Sequence, residues 1–564
     1  MTSLAYASYF PFEKSRSEQD DAIAFAIEQF ESGKRFVVLE LPTGIGKSAI
    51  GITVARYLDA HGNPSTTGED GLPVTGAYIL TSQKVLQDQY VKDFGPDSRR
   101  PLLRTIKSSS NYTCRFYADS NCAESKSLLR RLSSSVEDTD FQRQCKSNCV
   151  YTQEKKKFVE CPIGVTNFAY FLAETQFSGA LTPRSVLVVD ECHNVESELS
   201  KFVEVSYSEK FAKDVLRCRV PKRVTQSDVF EWISTTYRSS LKRVLRDMEK
   251  TLAGEVRQGK STSESSKRHE MLVRHAEKLS QFIDVYTESN WVMNTSVSES
   301  DRRGPRRFEF KPVDVSPFGV DMFKMGDKVL MMSATVLDIS AFCRSIGLKR
   351  EEVGYMRLPS PFPKENRPVH YIPVGSMSKR EIDASLPVLI ETLKLILERH
   401  ADVKGIIHTG NYKIAKHLKE ALRDPRIIDH GPLDRDKALK DHVESASPTV
   451  LLSPSMTEGI DLSDDASRFQ VICKIPFPYL GDEVVKKRME RDPSWYPYVT
   501  AKTIVQSLGR SIRSRTDHAV SYILDRDWER FYQRNRSLFP DDFHETIVRL
   551  QTMISPYYFV GGKA

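Results

Sequence analysis

The sequence contains no apolar run approaching the roughly 18 residues that a membrane-spanning helix requires, so no transmembrane helix and no membrane partner are expected. Its start, MTSLAYASYFPFEKSRSEQDD, lacks the basic segment and apolar core of a secretory leader, which points to a cytoplasmic location. Neither sign of charge dominates: 82 Lys and Arg stand against 75 Asp and Glu, and the resulting +7 does not by itself identify a nucleic-acid binder. Cysteine is scarce, nine in 564 residues, and the odd count speaks against a disulfide framework. No internal repeat is evident, and no His-Asp motif of a metal-dependent nuclease is visible. What is present, 40% hydrophobic and 28% charged residues, is the composition of a folded globular chain. At about 150 residues per domain the length suggests three to four domains.

Residues 20–31 carry apolar side chains at helical spacing, and FVVLELPTGIGKSAIGITVARYL then reads strand, glycine-bearing turn, helix. AYILTSQKVLQDQYVKDF repeats the strand-to-helix pattern, while SVLVVDECHN and KVLMMSAT have the profile of buried parallel strands. Residues 205–285 change to long charged helical stretches, interrupted at GKSTSESSK by an expected loop. After residue 385, VLIETLKLILERH, KGIIHTG, TVLLSPSMTEGIDL and QVICKIPFP restore the alternation. Alternating strands and helices predict an α/β fold, parallel sheets with helices on both faces. Lys47 lies 143 residues before Asp190, and Asp190 lies 143 before Ser333. A β-α-β unit takes roughly 30 residues or more, so each gap implies an insertion into one α/β domain. The first contains a cysteine cluster, and the second is the charged helical stretch.

LPTGIGKS, residues 41–48, is the strongest motif. A turn built from Pro42, Thr43, Gly44 and Gly46 lets backbone N–H groups surround phosphate oxygens. Lys47 would reach the terminal phosphates and the Ser48 hydroxyl would bind Mg²⁺. Leu41 stands where the general pattern has glycine. In DECH, residues 190–193, Asp190 at a strand end can hold Mg²⁺ through its bound water, and Glu191 can orient the water that attacks the γ-phosphate. In QSLGRSIRS, Arg510 and Arg513 would share one helix face and approach that phosphate from a second domain.

LPTGIGKS, DECH, SAT and QSLGRSIR, in this order, resemble a superfamily 2 helicase. RSEQ, TSQKVLQDQ, NYTC, VTNFAYFL, SPFP, GIIHTGNY and SPSMTEGIDL extend the resemblance over nearly the whole chain to the DinG/XPD branch of iron–sulfur helicases. The resemblance implies two RecA-like motor domains with parallel sheets and ATP between them. The first would carry an iron–sulfur insertion and a helical arch insertion. The implied bounds are 1–94, 162–204 and 311–345 for the first motor, 95–161 for the iron–sulfur domain, 205–310 for the arch and 346–564 for the second motor. Arg16 and Gln19 match the motif near the adenine pocket, and Ser333 and Thr335 the motif coupling hydrolysis to domain movement. Glu458, Gly459 and Asp461 match the second domain's contribution to coupling and DNA contact. Gln506, Arg510 and Arg513 match its γ-phosphate contacts. His193, beside the acids, reads as a relay of nucleotide state.

Cys114, Cys122, Cys145, Cys149 and Cys161 fall within 48 residues, whereas Cys192, Cys218, Cys343 and Cys473 are scattered. The intervals, x7, x22, x3 and x11, match neither a zinc ribbon nor a ferredoxin, so spacing leaves zinc and iron–sulfur open. The resemblance favours a 4Fe–4S cluster on Cys114, Cys122, Cys145 and Cys149, with Cys161 as an alternative to Cys122. Residues 95–160 hold 13 Lys and Arg against 8 Asp and Glu, with Tyr112, Phe116, Tyr117, Phe141 and Tyr151 among them. Basic groups that follow phosphates and aromatic faces that stack on bases suit single-stranded DNA, although packing around a small domain explains each aromatic equally well. Trp291 reads as core.

The expectation is therefore a monomeric ATP- and Mg²⁺-dependent DNA helicase acting on single-stranded and forked or 5′-tailed duplex DNA. Its 5′→3′ polarity is implied by the resemblance alone. The rival readings are a single-strand translocase that displaces proteins, and a nucleic-acid-binding subunit with a degenerate motor. The retained Lys47, Asp190, Glu191 and Arg513 argue against the second.

Overall fold

The apolar runs become strands buried on both faces. The computed structural model of the chain describes residues 5–68, 71–82, 84–98, 102–115, 120–125, 145, 147–176, 181–258, 263–297, 304–454, 462, 464–509, 511–512 and 517–550. The first sheet has seven strands, ordered Val353–Arg357, Phe36–Glu40, Gly326–Ser333, Arg184–Asp190, Ala77–Thr81, Ile163–Asn167 and Arg104–Thr105, all parallel. Successive side chains alternate between two cores. Val37 and Leu39 join Ile23, Ala26 and Ile50 from the helices Ser17–Glu31 and Lys47–His61. Phe36 and Val38 join Phe168, Phe171 and Leu199 on the other face. This double cover is why the strands read as unbroken apolar runs.

The second sheet also has seven parallel strands: Ile427–Asp429, Val450–Ser453, Gly405–His408, Phe469–Ile472, Val520–Asp525, Val369–Gly375 and Ile547–Arg549. Ile407, Leu452 and Val471 bury one face against Leu389, Leu393 and Leu418, and Ile472 and Ile523 bury the other against Ile504 and Trp528. Two parallel sheets with helices on both faces are the architecture that the alternation predicts.

Several expected bounds move. The strand Val353–Arg357 pairs in parallel with Phe36–Glu40, so the first sheet runs past residue 345 to residue 357. Arg104–Thr105, expected inside the cysteine insertion, pairs with Gly164 and Val165 as the opposite edge of that sheet. The expected helical arch also contains an antiparallel sheet, in which Arg307–Pro312 lies between Val205–Ser208 and Trp291–Ser296. GKSTSESSK is not wholly a loop, because the helix Ser263–Val285 starts within it. The arch shares a continuous core with the first domain through Tyr207, Tyr237, Phe282 and Phe310. Trp291 is fully buried there, edge-on to Phe282 at 5.0 Å, as expected of a core residue. No helix among the described residues is long and apolar enough to cross a membrane.

Candidate nucleotide site and cysteine insertion

The turn after the strand Phe36–Glu40 places Gly44 and Gly46 at positive φ, 76° and 86°, and the helix Lys47–His61 starts immediately behind it. A helix N-terminus approached through left-handed glycines presents backbone N–H groups to an anion. Arg16 and Gln19, expected near an adenine pocket, contact the glycine loop. Arg16 donates to the Gly44 carbonyl at 2.9 Å, and Gln19 Nε2 donates to the Ile45 carbonyl at 2.9 Å. Gln19 Oε1 accepts from the Arg16 backbone N–H at 2.9 Å, which fixes the amide's orientation. A Cβ on Gly46 would lie 2.5 Å from Gln19 Nε2, so glycine is required there by space as well as by φ.

The strand Arg184–Asp190 runs two places away in the same sheet and delivers DECH beside this loop. Lys47 Nζ lies 3.6 Å from Glu191 Oε1. Asp190 is buried, and burial, reinforced by the neighbouring Glu191 charge, pushes its carboxyl up to about 6 against the opposing pull of Lys47 and Tyr90. Divalent magnesium would favour the ionised form and offset that burial penalty. His193 Nδ1 lies 2.7 Å from Ser333 Oγ and 3.3 Å from Glu191 Oε2, and Ser333 Oγ accepts from the Thr335 N–H at 3.1 Å. DECH and SAT are thus joined by direct hydrogen bonds.

The second domain reaches the same place. Thr43 Oγ1 donates to the Ile512 carbonyl at 3.1 Å, which brings the QSLGRSIR segment onto the glycine loop. Lys502, one helical turn before Gln506, donates to the His193 carbonyl at 3.2 Å. Gln506 is buried, faces a cleft of about 350 Å³ shared with Glu191, His193 and Thr335, and its amide has no hydrogen-bond partner among the described residues. Arg510, Arg513, Asp461, Glu458 and Gly459 lie outside the described residues.

Three participants were not anticipated. Tyr90 donates to Asp190 Oδ2 at 3.1 Å. Glu40, 3% exposed, accepts the N–H groups of Val336 and Leu337 at 3.0 and 3.1 Å and so ties the glycine-loop strand to the segment after SAT. An acid inside FVVLELP was a visible signal, since a buried charge needs partners. Lys502 was visible too, four residues before Gln506 on one helix face.

In the cysteine insertion, Cys114 and Cys122 sit on a short hairpin closed by the Thr113–Asn121 bridge. Cys149 is the residue preceding the helix Val150–Glu160, and its Sγ lies 3.7 Å from Cys122 Sγ. Burial raises the Cys149 thiol, but hydrogen bonds from Thr152 and Cys122 outweigh it and hold the group below its usual range. Cys161 follows the far end of that 11-residue helix, which at ~1.5 Å per residue is about 16 Å away. It cannot replace Cys122 beside Cys149. The thiols are soft donors suited to iron–sulfur or zinc. Among the described residues, no three Cys, His, Asp or Glu side chains stand close enough to hold one metal ion.

Aromatic and basic side chains of residues 95–160 are partly occupied within the fold. Tyr151 is buried, with its hydroxyl 3.0 Å from that of Tyr170, so it packs the insertion against the motor. Lys155, Lys156 and Lys157 pair with Glu174, Glu160 and Glu154 rather than forming an unpaired basic face. Tyr112 is half-buried, edge-on to Tyr151 at 5.4 Å. Phe116, Tyr117 and Phe141 lie outside the described residues. Arg184, at the start of the DECH strand, caps the same helix: it donates to the carbonyls of Phe158, Val159 and Cys161 and to Ala77, over the Tyr78 ring.

Residues 404–546 match the helicase C-terminal domain family, and residues 13–217 match the family described as type III restriction enzyme, res subunit. The chain is 26% identical over 250 residues to the ATP-dependent DNA helicase DinG of Photobacterium profundum, a match spanning 40% of this chain and 36% of that protein. It is 22% identical to the ATP-dependent DNA helicase YoaA of Haemophilus influenzae over 91% of each. A solved structure described as an XPD helicase superposes with a TM-score of 0.61 at 15% identity, covering 96% of this chain and all of that one, which shows the shared fold. Family matches in both halves of the chain, a near full-length alignment and two parallel seven-stranded sheets together support a DinG/XPD-like superfamily 2 helicase.

Proposed function

We propose that the chain is an ATP- and Mg²⁺-dependent DNA helicase that moves 5′→3′ along single-stranded DNA and separates the duplex ahead of it. The observation that carries this reading is the contact of Thr43 in the glycine loop with Ile512 in the second domain. One domain holds the phosphate loop and DECH, and the other closes on them. In this reading the loop of Pro42, Thr43, Gly44 and Gly46 surrounds the phosphates, with Arg16 and Gln19 holding its shape. Lys47 would turn from Glu191 to the γ-phosphate, and Ser48 and Asp190 would hold the magnesium. Glu191 then orients the attacking water, and the second domain supplies Gln506, Arg510 and Arg513 to the developing charge. Asp461 contributes to coupling. A site that assembles only when two domains meet links hydrolysis to their separation, and strand affinity that differs between the two states moves the chain along DNA.

In the cysteine insertion, Cys114, Cys122, Cys145 and Cys149 would hold a 4Fe–4S cluster, whose contribution is to fix the shape of the insertion. The 3.7 Å approach of Cys122 to Cys149 supports their sharing one centre. The strand would pass between this insertion and the arch, the protein acting as a monomer on forked or 5′-tailed DNA.

Single-stranded DNA should stimulate ATP hydrolysis by the wild-type chain, and Lys47→Ala should abolish hydrolysis while leaving DNA binding. An unstimulated hydrolysis that survives Lys47→Ala would sink the assignment. Purified protein should carry iron and sulfide, retained in Cys161→Ser and lost in Cys114→Ser or Cys149→Ser. Zinc in place of iron would overturn the cluster.

A further inference from the structure

The helix Lys84–Phe94 is not part of the glycine loop, DECH or SAT, yet it sends one polar group between them. Tyr90 is 2% exposed, and its hydroxyl donates to Asp190 Oδ2 at 3.1 Å. Asp190 Oδ1 accepts from the Glu191 N–H at 3.0 Å, so both carboxylate oxygens are held, one by backbone and one by Tyr90. The rest of the Tyr90 ring lies in the apolar core with Phe94, Ile79 and Val188, where a phenylalanine ring would pack as well. A phenol is needed there only for what its oxygen does, since a buried hydroxyl without a partner is costly.

We propose that Tyr90 is a positioning residue for magnesium: its hydroxyl holds Asp190, one of the two side chains that would face the ion. The inference rests on the ATPase reading above and deepens it. Magnesium demands near-ideal octahedral geometry, so two ligands from different elements must be aligned before it arrives. Ser48 begins the helix behind the glycine loop, and Asp190 ends a strand two places away in the sheet. Tyr90, from a third element, fixes the Asp190 half of that pair. Partners that orient metal ligands typically govern affinity by about 10- to 100-fold.

The test is the affinity of a fluorescent ADP analogue, titrated with Mg²⁺ and separately in EDTA, for wild-type and Tyr90→Phe protein. Tyr90→Phe should need at least about tenfold more Mg²⁺ to reach half of the magnesium-dependent gain in affinity. Its affinity in EDTA and its binding of single-stranded DNA should match the wild type. Tyr90→Met, which fills the same space without a hydroxyl, should behave alike and serves if the phenylalanine variant does not fold. The Mn²⁺ electron paramagnetic resonance signal of the nucleotide complex should broaden in either variant as the ion's surroundings become less ordered. Equal Mg²⁺ dependence in wild type and variants would overturn the inference while leaving the ATPase reading intact. An equal loss of affinity in EDTA would also overturn it, by showing that Tyr90 only packs the loop. A wild-type chain that binds no nucleotide would overturn both.

Discussion

Arg488 Nη1 lies 2.7 Å from Glu196 Oε1, an ion pair between the second motor domain and the helix that begins just after DECH. Both side chains are largely buried, at 14% and 13% exposure, and Trp495 Nε1 donates to the same Glu196 oxygen at 3.1 Å. The Arg488 guanidinium lies over the Trp495 ring and also donates to the Val313 carbonyl at 3.0 Å. Glu196 is three residues from His193, whose carbonyl accepts from Lys502. The second domain therefore grips the DECH segment at two successive points.

That grip should register as a coupling energy. Glu196→Gln and Arg488→Met, combined in a double-mutant cycle on the first thermal unfolding transition, should show an interaction of about 1–3 kcal/mol. Additive effects within about 0.3 kcal/mol would mean that the pair is not formed in solution.

Gln19→Ala should weaken ATP binding about 5- to 10-fold, roughly the 1–1.5 kcal/mol of one buried hydrogen bond. It removes the donor to Ile45 but leaves every phosphate-facing N–H in place. Gly46→Ala should be far more damaging, because its φ of 86° and the Gln19 contact both resist a Cβ. Equilibrium nucleotide binding distinguishes the two, and equal losses would contradict the assigned role of Gln19.

Arg184→Ala should destabilise the cysteine insertion by about 3 kcal/mol or more, since it leaves several buried carbonyls without a donor. Arg184→Lys should recover less than half, because an ammonium cannot fork between the helix end and the strand. Limited proteolysis within residues 99–161, scored against overall thermal midpoint, would detect this; unchanged resistance in Arg184→Ala would contradict it.

The parts legible in the sequence are those in which chemistry is local. The glycine turn of LPTGIGKS, the acids ending SVLVVDECHN and the apolar strands each declare themselves within ten residues. Partners distant in sequence were not legible. Val353–Arg357 joins Phe36–Glu40 across more than 300 residues, and nothing in VGYMR names that neighbour. The arch sheet was hidden because its strands are short and half polar, and Val205–Ser208 pairs across about 100 residues of chain. Tyr90 looked like any core aromatic, since only the fold shows which end of the ring meets Asp190. The lysines at 155–157 count toward the positive charge of residues 95–160, and only the fold sets Glu174 beside Lys155. Cys161 stood as an alternative to Cys122, and only the fold shows that one helix separates it from Cys149.

Acid should weaken the second domain. Burial lowers both His370 and His400 to about 4, with Arg399 adding to the effect, against about 6.5 in an unfolded chain. Their neutral forms contribute full stability above pH 6.5, and this is lost as pH falls toward 4, because the unfolded state takes up the protons. Between pH 7 and pH 5 the loss is about 2 kcal/mol per imidazole. Asp525, raised to about 6 by burial, opposes it by about 1 kcal/mol over the same interval. A lower thermal midpoint at pH 5 than at pH 7, flattened in His370→Phe/His400→Phe, is the expected result. An unchanged slope in that variant would assign the acid sensitivity elsewhere.

Strand displacement on two matched duplexes, one with a 5′ single-stranded tail and one with a 3′ tail, tests the central claim most directly. Lys47→Ala is the control. The account predicts ATP-dependent unwinding of the 5′-tailed duplex only, absent in the control. Unwinding from the 3′ tail alone would contradict the polarity. Unwinding of neither, with DNA-stimulated hydrolysis intact, would contradict the helicase and leave a translocase.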